Sequence, residues 1–545
     1  MRDSDRRSEV SARNDGSAAS EFQRSTRPQT VQSETTRSVA ADEFYDLEHQ
    51  TSRRIPARRP DIQDQNHREQ ETSFEVTFDG LSDPFNPKSK STARRWLICI
   101  IICTSSLCVT CASSIYGSTY AQIMPKFGVS RIVSTLGISF YNIGLGLGTI
   151  ILAPLSEFYG RRFVYIFSFG AFFIWLIPCA VTQNIETMLV SRFLDGFFGS
   201  AFLSVSGGTI GDLFLPHELS APMMLFTASP FLGPELGPLL GGFINQYTNW
   251  RWTFYMLLIW AGAQLDLIVC FVPETYQPIL LMRKARTIRK DSGNDAWYAP
   301  IEKNEKSVLR TVAWSCLRPV QLTFLEPMVL SLGVLSAILL GIIYLFFGVY
   351  PLVFGNNHDF TLSQTGLVFL GLLIGITIGV LSDPLWRKNY QRVTSKHVER
   401  KEEGHHDQPM RSDPEYRLIP TMFGACLVPV SLFGFGWTTY SSVHWIVPIF
   451  FSGFFGIAIT WVYSGVFTFL VESYPLYAAS ALAANSLLRN CFAAAFPLFG
   501  VQLYNALGYQ WASSLLGFLG LAMAPFPFLL YRYGSRLRAR SRFAS

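Results

Sequence analysis

Residues 153–162 read APLSEFYGRR, and residues 379–388 read GVLSDPLWRK. Aligned without a gap, Leu155 meets Leu381, Ser156 meets Ser382, Glu157 meets Asp383, Arg161 meets Arg387 and Arg162 meets Lys388. Each copy stands directly after an apolar run, the first after the second run and the other after the eighth. Chance would rarely place such a match at equivalent positions, so the chain reads as two copies of one six-run unit.

The twelve runs are 96–116, 132–152, 163–182, 188–211, 221–243, 252–272, 327–350, 362–381, 418–437, 443–470, 479–500 and 510–531. Each has about the 20 residues needed to cross a hydrocarbon core. Of the 545 residues, 15% are charged and 49% hydrophobic, against roughly 25% charged in soluble domains. These features describe an all-α polytopic membrane protein with twelve transmembrane helices in two pseudo-symmetric six-helix halves. Parallel halves related by an axis along the membrane normal are a transporter architecture, with the substrate between them near the midplane.

The expected organisation is a polar tail over 1–95, a first bundle over 96–272, a central loop over 273–326, a second bundle over 327–531 and a basic tail over 532–545. The first segment is poor in aliphatics and is expected to be disordered. It has no apolar core of a signal peptide. Nine Lys/Arg lie in 273–326, eight in 382–417 and five in 532–545, all on one side of the membrane if the count is twelve. Lys126, Arg131 and Arg251 are the Lys/Arg of the other side. Positive charge stays cytoplasmic, so both termini are expected there, in a multi-pass protein of the plasma membrane or of a vacuolar membrane.

Several chemistries are excluded. No GxxxxGK[ST] loop is present, so ATP does not drive the protein directly. None of the eight histidines lies mid-span, and no metal or nucleophile constellation stands out, so neither enzyme activity nor a cofactor is expected. The net charge of +6 sits in the basic loops and does not mark a nucleic-acid surface. Cys103, Cys108 and Cys111 have an iron–sulfur-like spacing, but they lie inside an apolar run and read as packing residues.

The polar residues inside the spans are the functional candidates. Arg192 and Asp195 are three apart and share a helix face. They read either as a structural ion pair or as a proton relay in which protonating Asp195 releases Arg192. In PFLGPELGPLLGGF (230–243), Pro230, Pro234 and Pro238 form one row and Gly233, Gly237 and Gly241 another. The glycines admit a neighbouring helix and the prolines bend their own. Glu235 belongs to neither row. It either faces the cavity, where it would attract cations or carry a proton, or pairs with a basic group. Tyr344, Phe347, Trp461, Asn485 and Arg489 are candidate cavity residues, with Asp266 and Tyr350 as further polar or aromatic positions.

The 153–162 loop resembles the G-x-L-a-D-r-x-G-r-[RK] signature of the major facilitator superfamily at Leu155, Glu157, Gly160, Arg161 and Arg162, with Ala153 for the first glycine. SRFLDGFFGS (191–200) resembles the R-x-x-x-G element of its proton-coupled members. GPELGPLLGG (233–242) resembles the G-x-x-x-G-P-x-x-G-G motif of its antiporters. VPETYQPILLMRKA (272–285), WIVPIF (445–450), ESYPLYAASALAANSLLRN (472–490) and AAAFPLFG (493–500) resemble the fungal twelve-span drug:proton antiporters, which include polyamine and toxin exporters. The resemblance covers about residues 78–543.

The resemblance implies the major facilitator fold and a gate built from Glu157, Gly160, Arg161, Arg162, Asp383 and Arg387. It implies proton coupling through Arg192, and a helix-bend motif at Gly233, Pro234, Gly237, Pro238, Gly241 and Gly242 that favours export and seals against proton leak. The expected activity is proton-coupled export of small amphipathic or cationic compounds by a monomer. Proton-coupled uptake and a transporter-like sensor are the competing readings.

Overall fold

The computed structural model describes residues 74–545 apart from 81–82, 216–217, 304–307, 403–413, 542 and 545. Most of the tail expected over 1–95 therefore lies outside the described residues, as do parts of both long basic loops. The first half comprises α1 (Thr92–Phe127), α2 (Arg131–Tyr159), α3 (Arg161–Val181), α4 (Ile185–Leu213), α5 (Ser220–Tyr247) and α6 (Arg251–Phe271). The second comprises α7 (Pro327–His358), α8 (362–381), α9 (Ile419–Trp437), α10 (Ile446–Ser473), α11 (Ala478–Leu507) and α12 (Tyr509–Arg540).

Ten of these elements are long and apolar enough to cross a membrane. The other two, α5 and α11, have 28 and 30 residues and are more polar. One holds Glu235 and four prolines, three of them past its first turn, and the other Asn485, Arg489 and Asn490. Polar positions of this kind need protein or a cavity around them, not lipid. Local signals set several helix starts. Ser130 accepts from the Val133 N–H (3.4 Å) before α2, Asn184 accepts from the Thr187 N–H (3.0 Å) before α4, and Thr361 and Gln364 form a capping box before α8.

The repeat is visible in the packing. The pairs α1/α5, α2/α4 and α3/α6 of the first half correspond to α7/α11, α8/α10 and α9/α12 of the second. The halves meet through α2/α11 and α5/α8, which exchange under the same symmetry. Hydrogen bonds join the halves from mid-span toward the end opposite Gly160. Ser113 Oγ and Tyr344 Oη are 2.7 Å apart, Ser139 Oγ donates to Ala494 O (2.6 Å), and the Ser363 N–H donates to Gln246 Oε1 (2.7 Å).

The glycine row of α5 packs within its own half. A Cβ on Gly233 would lie 2.8 Å from Leu107 O, and one on Gly237 would lie 2.7 Å from Ile115 N, both on α1. Gly242, off that row, is the residue at the seam, where a Cβ would lie 2.8 Å from Leu362 O of α8. The row thus welds α5 to α1, while Gly242 and the Pro238 carbonyl seat the bend against the other half.

Residues 74–79 and Asp83 pack against the central loop. The Val76 N–H donates to Tyr298 O (3.0 Å) and the Tyr298 N–H to Phe74 O (3.1 Å). Lys284, on the helix Gln277–Ser292, donates to Thr77 O, Asp79 and Asp83 at 2.9, 2.5 and 2.7 Å. Burial pushes the Asp83 carboxyl up, but Lys284 and the Phe85 and Asp79 N–H groups outweigh this and hold it below its usual range. A lowered carboxylate contributes stability above its unfolded value and loses it as pH falls through the folded one. The clamp is therefore expected to persist at neutral pH and open only in acid.

Candidate functional site

Arg192 is fully buried at the meeting point of α1, α2 and α4. Gly144 and Gly148 on α2 and Gly196 on α4 leave no room for a Cβ against the facing backbone. That close approach lays the Arg192 guanidinium 4.2 Å from the Tyr141 ring centroid and 5.1 Å from that of Tyr116. Its Nη2 donates to Ser113 O (3.1 Å) and its Nε to Gly137 O (3.4 Å). A desolvated cation over an aromatic face gains about 2 kcal/mol.

Asp195 is also fully buried, but among the described residues it makes no ion pair with Arg192. Its Oδ2 lies 3.7 Å from the Cys179 thiol, and Oδ1 has no partner. Helical spacing put the two charges on one face, yet the neighbouring tyrosines and carbonyls claimed the guanidinium.

A second cluster spans the seam. Phe231 of α5 stacks on Tyr463 of α10, with centroids 4.7 Å apart. Arg489 of α11 lies over Tyr463 at 5.3 Å and Phe467 at 5.1 Å. Glu235 stands one turn beyond Phe231, and Asn485 one turn before Arg489. Both side chains are fully buried, and neither carboxylate oxygen of Glu235 nor either amide atom of Asn485 has a partner. Of the two readings of Glu235, pairing with a basic group is not what the described residues show. Tyr344 of α7 and Arg192 share Ser113: the Tyr344 Oη lies 2.7 Å from Ser113 Oγ, and Arg192 Nη2 donates to Ser113 O (3.1 Å).

Other candidates fall elsewhere. Phe347 packs edge-on against Tyr344 (5.1 Å), and both line a small cavity with Arg131, Thr135 and Pro497 toward the end opposite Gly160. Tyr350 donates to Ser452 Oγ (2.8 Å) inside the second bundle. Trp461 is two residues from Tyr463 and takes a different face. Its Nε1 donates to Ser382 Oγ (2.8 Å) and its ring meets Trp386 (5.2 Å), so it braces the second repeat loop. Asp266 sits on an exposed face of α6 and not in the interior.

The first repeat loop turns at Gly160, whose φ of 94° suits glycine. A Cβ there would also overlap the Glu274 carboxylate. Glu274 Oε1 accepts from the Arg161 N–H (3.0 Å) and Oε2 from the Arg162 N–H (3.2 Å), so a buried carboxylate caps the start of α3. Arg161 Nη1 donates to Ser156 Oγ (2.6 Å), and its Nε lies 3.5 Å from Asp212 at the end of α4. Arg162 Nη2 donates to Val269 O (3.0 Å) near the end of α6.

Glu157 is exposed and makes no ion pair among the described residues; the acids that hold the loop are Glu274 and Asp212. In the second copy Trp386 stands where Gly160 does. The chain has no turn-forming residue there and continues as the helix Asp383–Glu402, in which Arg387 pairs with Asp383 (2.5 Å). Glu274 belongs to VPET, a stretch legible as a motif but not as a cap. Tyr141, Tyr463 and Phe231 look like ordinary apolar-run aromatics, and no local signal separates them from core.

Gly160→Ala is expected to lower transport roughly tenfold, since non-glycine backbone strain of this kind costs on the order of 1–3 kcal/mol. Initial rates normalised to protein in the membrane would check it. Glu274→Gln should reproduce part of the loss.

The description "Major Facilitator Superfamily" belongs to the family model that matches residues 102–497. The efflux pump atB of Aspergillus terreus is 51% identical over 474 residues, covering 87% of this chain and 90% of that protein. The probable drug/proton antiporter YHK8 of Saccharomyces cerevisiae is 39% identical, with 87% and 90% covered. Among solved structures, the xylose transporter XylE from Escherichia coli superposes with a TM-score of 0.55 at 16% identity, covering 81% of this chain and 98% of that one. The human organic anion transporter MFSD10 gives 0.54 at 16%, covering 80% and 100%. These two likenesses carry the fold alone. The repeat, the paired packing of the halves and the matching family model lead to one conclusion: the chain is a multi-pass membrane protein of the Major Facilitator Superfamily, within its fungal efflux-pump branch.

Proposed function

We propose that the protein exports small organic molecules in exchange for protons across the plasma membrane, with both termini in the cytoplasm, acting as a monomer. The observation that carries this reading is the seam cluster. Two unpartnered buried polar side chains, Glu235 and Asn485, stand with Arg489 between the halves. A fold that left such groups without partners for packing alone would be penalised by several kcal/mol. A site that alternately takes a proton and a solute uses them.

In this reading the halves rock about the α2/α11 and α5/α8 seams. Glu235 takes or releases the proton, and Arg192 senses the change through Tyr344 and the carbonyl contacts on α1 and α2. The Glu274–Arg161–Asp212 lock holds α3, α4 and α6 at the Gly160 end. The bonds at the opposite end, such as Ser363 to Gln246, must break when the halves rock the other way. The efflux-pump and drug/proton-antiporter names of the relatives support export and proton coupling.

The test is transport in everted membrane vesicles across a toxin and drug panel. An inward-acid pH gradient is expected to drive solute into the vesicles, and collapse of the gradient to stop it. Solute movement in the opposite sense would establish uptake, and binding without flux would establish a sensor.

A further inference from the structure

We propose that the seam cluster selects planar aromatic solutes carrying a carboxylate or comparable delocalised anion, with Arg489 as the residue that receives the anionic group. This rests on the transport reading above and narrows its substrate class, away from the cationic compounds that the carboxylate Glu235 alone suggests.

A guanidinium inside a bundle needs a carboxylate, a set of carbonyls or a ligand. Arg192 has two carbonyls and two tyrosine faces around it, with only Nη1 left over. Arg489 has the aromatic faces of Tyr463 and Phe467 but no ion pair among the described residues, and its buried Nε has no hydrogen-bond partner. No carbonyl or carboxylate among the described residues takes Nε, and a guanidinium presenting that edge suits a planar anion.

The surroundings define the rest of the solute. Asn485 lies one turn away on the same helix, fully buried, with both its amide donor and its carbonyl acceptor unpartnered. It can hold a hydroxyl or carbonyl beside the anionic group. The Phe231–Tyr463 stack, at 4.7 Å and 26° between planes, shows that the site favours aromatic planes face to face. Phe231 belongs to the first half and Tyr463 to the second. A planar ring entering between or beside them would touch both halves and report its presence to both. Glu235 stands one turn from Phe231, so the proton carrier and the anion receiver occupy opposite walls of one seam.

The test measures binding apart from transport. Purified full-length protein in detergent would be titrated with a panel of planar aromatic scaffolds, each as carboxylate, methyl ester and quaternary ammonium derivative, reading thermal shift and tryptophan fluorescence. At least one carboxylate is expected to bind about tenfold or more tightly than its ester and ammonium counterparts. Arg489→Gln is expected to erase that preference while leaving the ester's affinity near its original value, and Arg489→Lys to restore part of it. Asn485→Ala should weaken hydroxylated acids more than unsubstituted ones, and it keeps the idea testable if Arg489→Gln does not fold. Tighter binding of the ammonium forms, equal binding of all three forms, no binding by any carboxylate, or an unchanged preference in Arg489→Gln would each overturn the proposal. Carboxylates that bind with the expected preference but are not moved in vesicles would instead overturn the export reading and leave the anion site standing.

Discussion

Replacing Glu235 with glutamine is expected to reduce pH-driven export by about 10²-fold, the usual magnitude for losing a positioned acid–base group, while the amount of folded protein in the membrane stays unchanged or rises. The side chain is fully buried and both its oxygens lack partners. Gln keeps the shape and the hydrogen-bonding length, so α5 retains its packing on α1. What it loses is the ability to gain and release a proton between the two orientations of the seam. Solute exchange without a pH gradient should therefore survive, and flux should lose its dependence on pH. Counterflow and gradient-driven uptake in the same vesicles separate the two. Normal export with unchanged pH dependence would remove Glu235 from the mechanism.

Arg192→Lys is expected to abolish coupled transport although the positive charge is kept. The guanidinium is held over Tyr141 and Tyr116 while reaching Ser113 O on α1 and Gly137 O on α2. An ammonium is a compact point charge and cannot span both carbonyls from between two ring faces. Arg192→Ala goes further, because it opens a cavity at a three-helix junction and should cost on the order of 2–5 kcal/mol of stability. Comparing expression, melting temperature and flux for the two variants distinguishes positioning from bulk stability. Asp195→Asn should have the smaller effect, since Asp195 makes no ion pair with Arg192 among the described residues. If Asp195→Asn equals Arg192→Lys in its loss, the two charges act as a relay despite their separation here.

These two residues mark where sequence reasoning was strong and where it stopped. Charge in an apolar run is rare enough to be noticed, so Arg192, Asp195, Glu235 and Arg489 stand out from the chain alone. Their partners do not. The tyrosines that hold Arg192 come from helices 51 and 76 residues away in sequence, and nothing in their own runs distinguishes them from packing aromatics. Helical spacing paired Arg192 with Asp195, and the tertiary setting separated them. Spacing grouped Trp461 with the cavity, and its hydrogen bond to Ser382 placed it on the second repeat loop.

The sequence by itself determined the architecture. Apolar runs of bilayer length, basic residues on alternate loops and a duplicated loop fix the helix count, the two halves and their symmetry, because membrane insertion reads hydrophobicity and charge directly. The glycine and proline rows of α5 are equally local, since spacing by four sets the face of a helix. Tertiary structure alone decided which face met which neighbour. It turned the glycine row toward α1 of the same half, gave the Gly160 turn its Glu274 cap, and left the side chains of Glu235 and Asn485 and the Nε of Arg489 without hydrogen-bond partners among the described residues at the seam. Whether a buried polar group is satisfied depends on atoms supplied by other helices, and that is settled only when the helices pack.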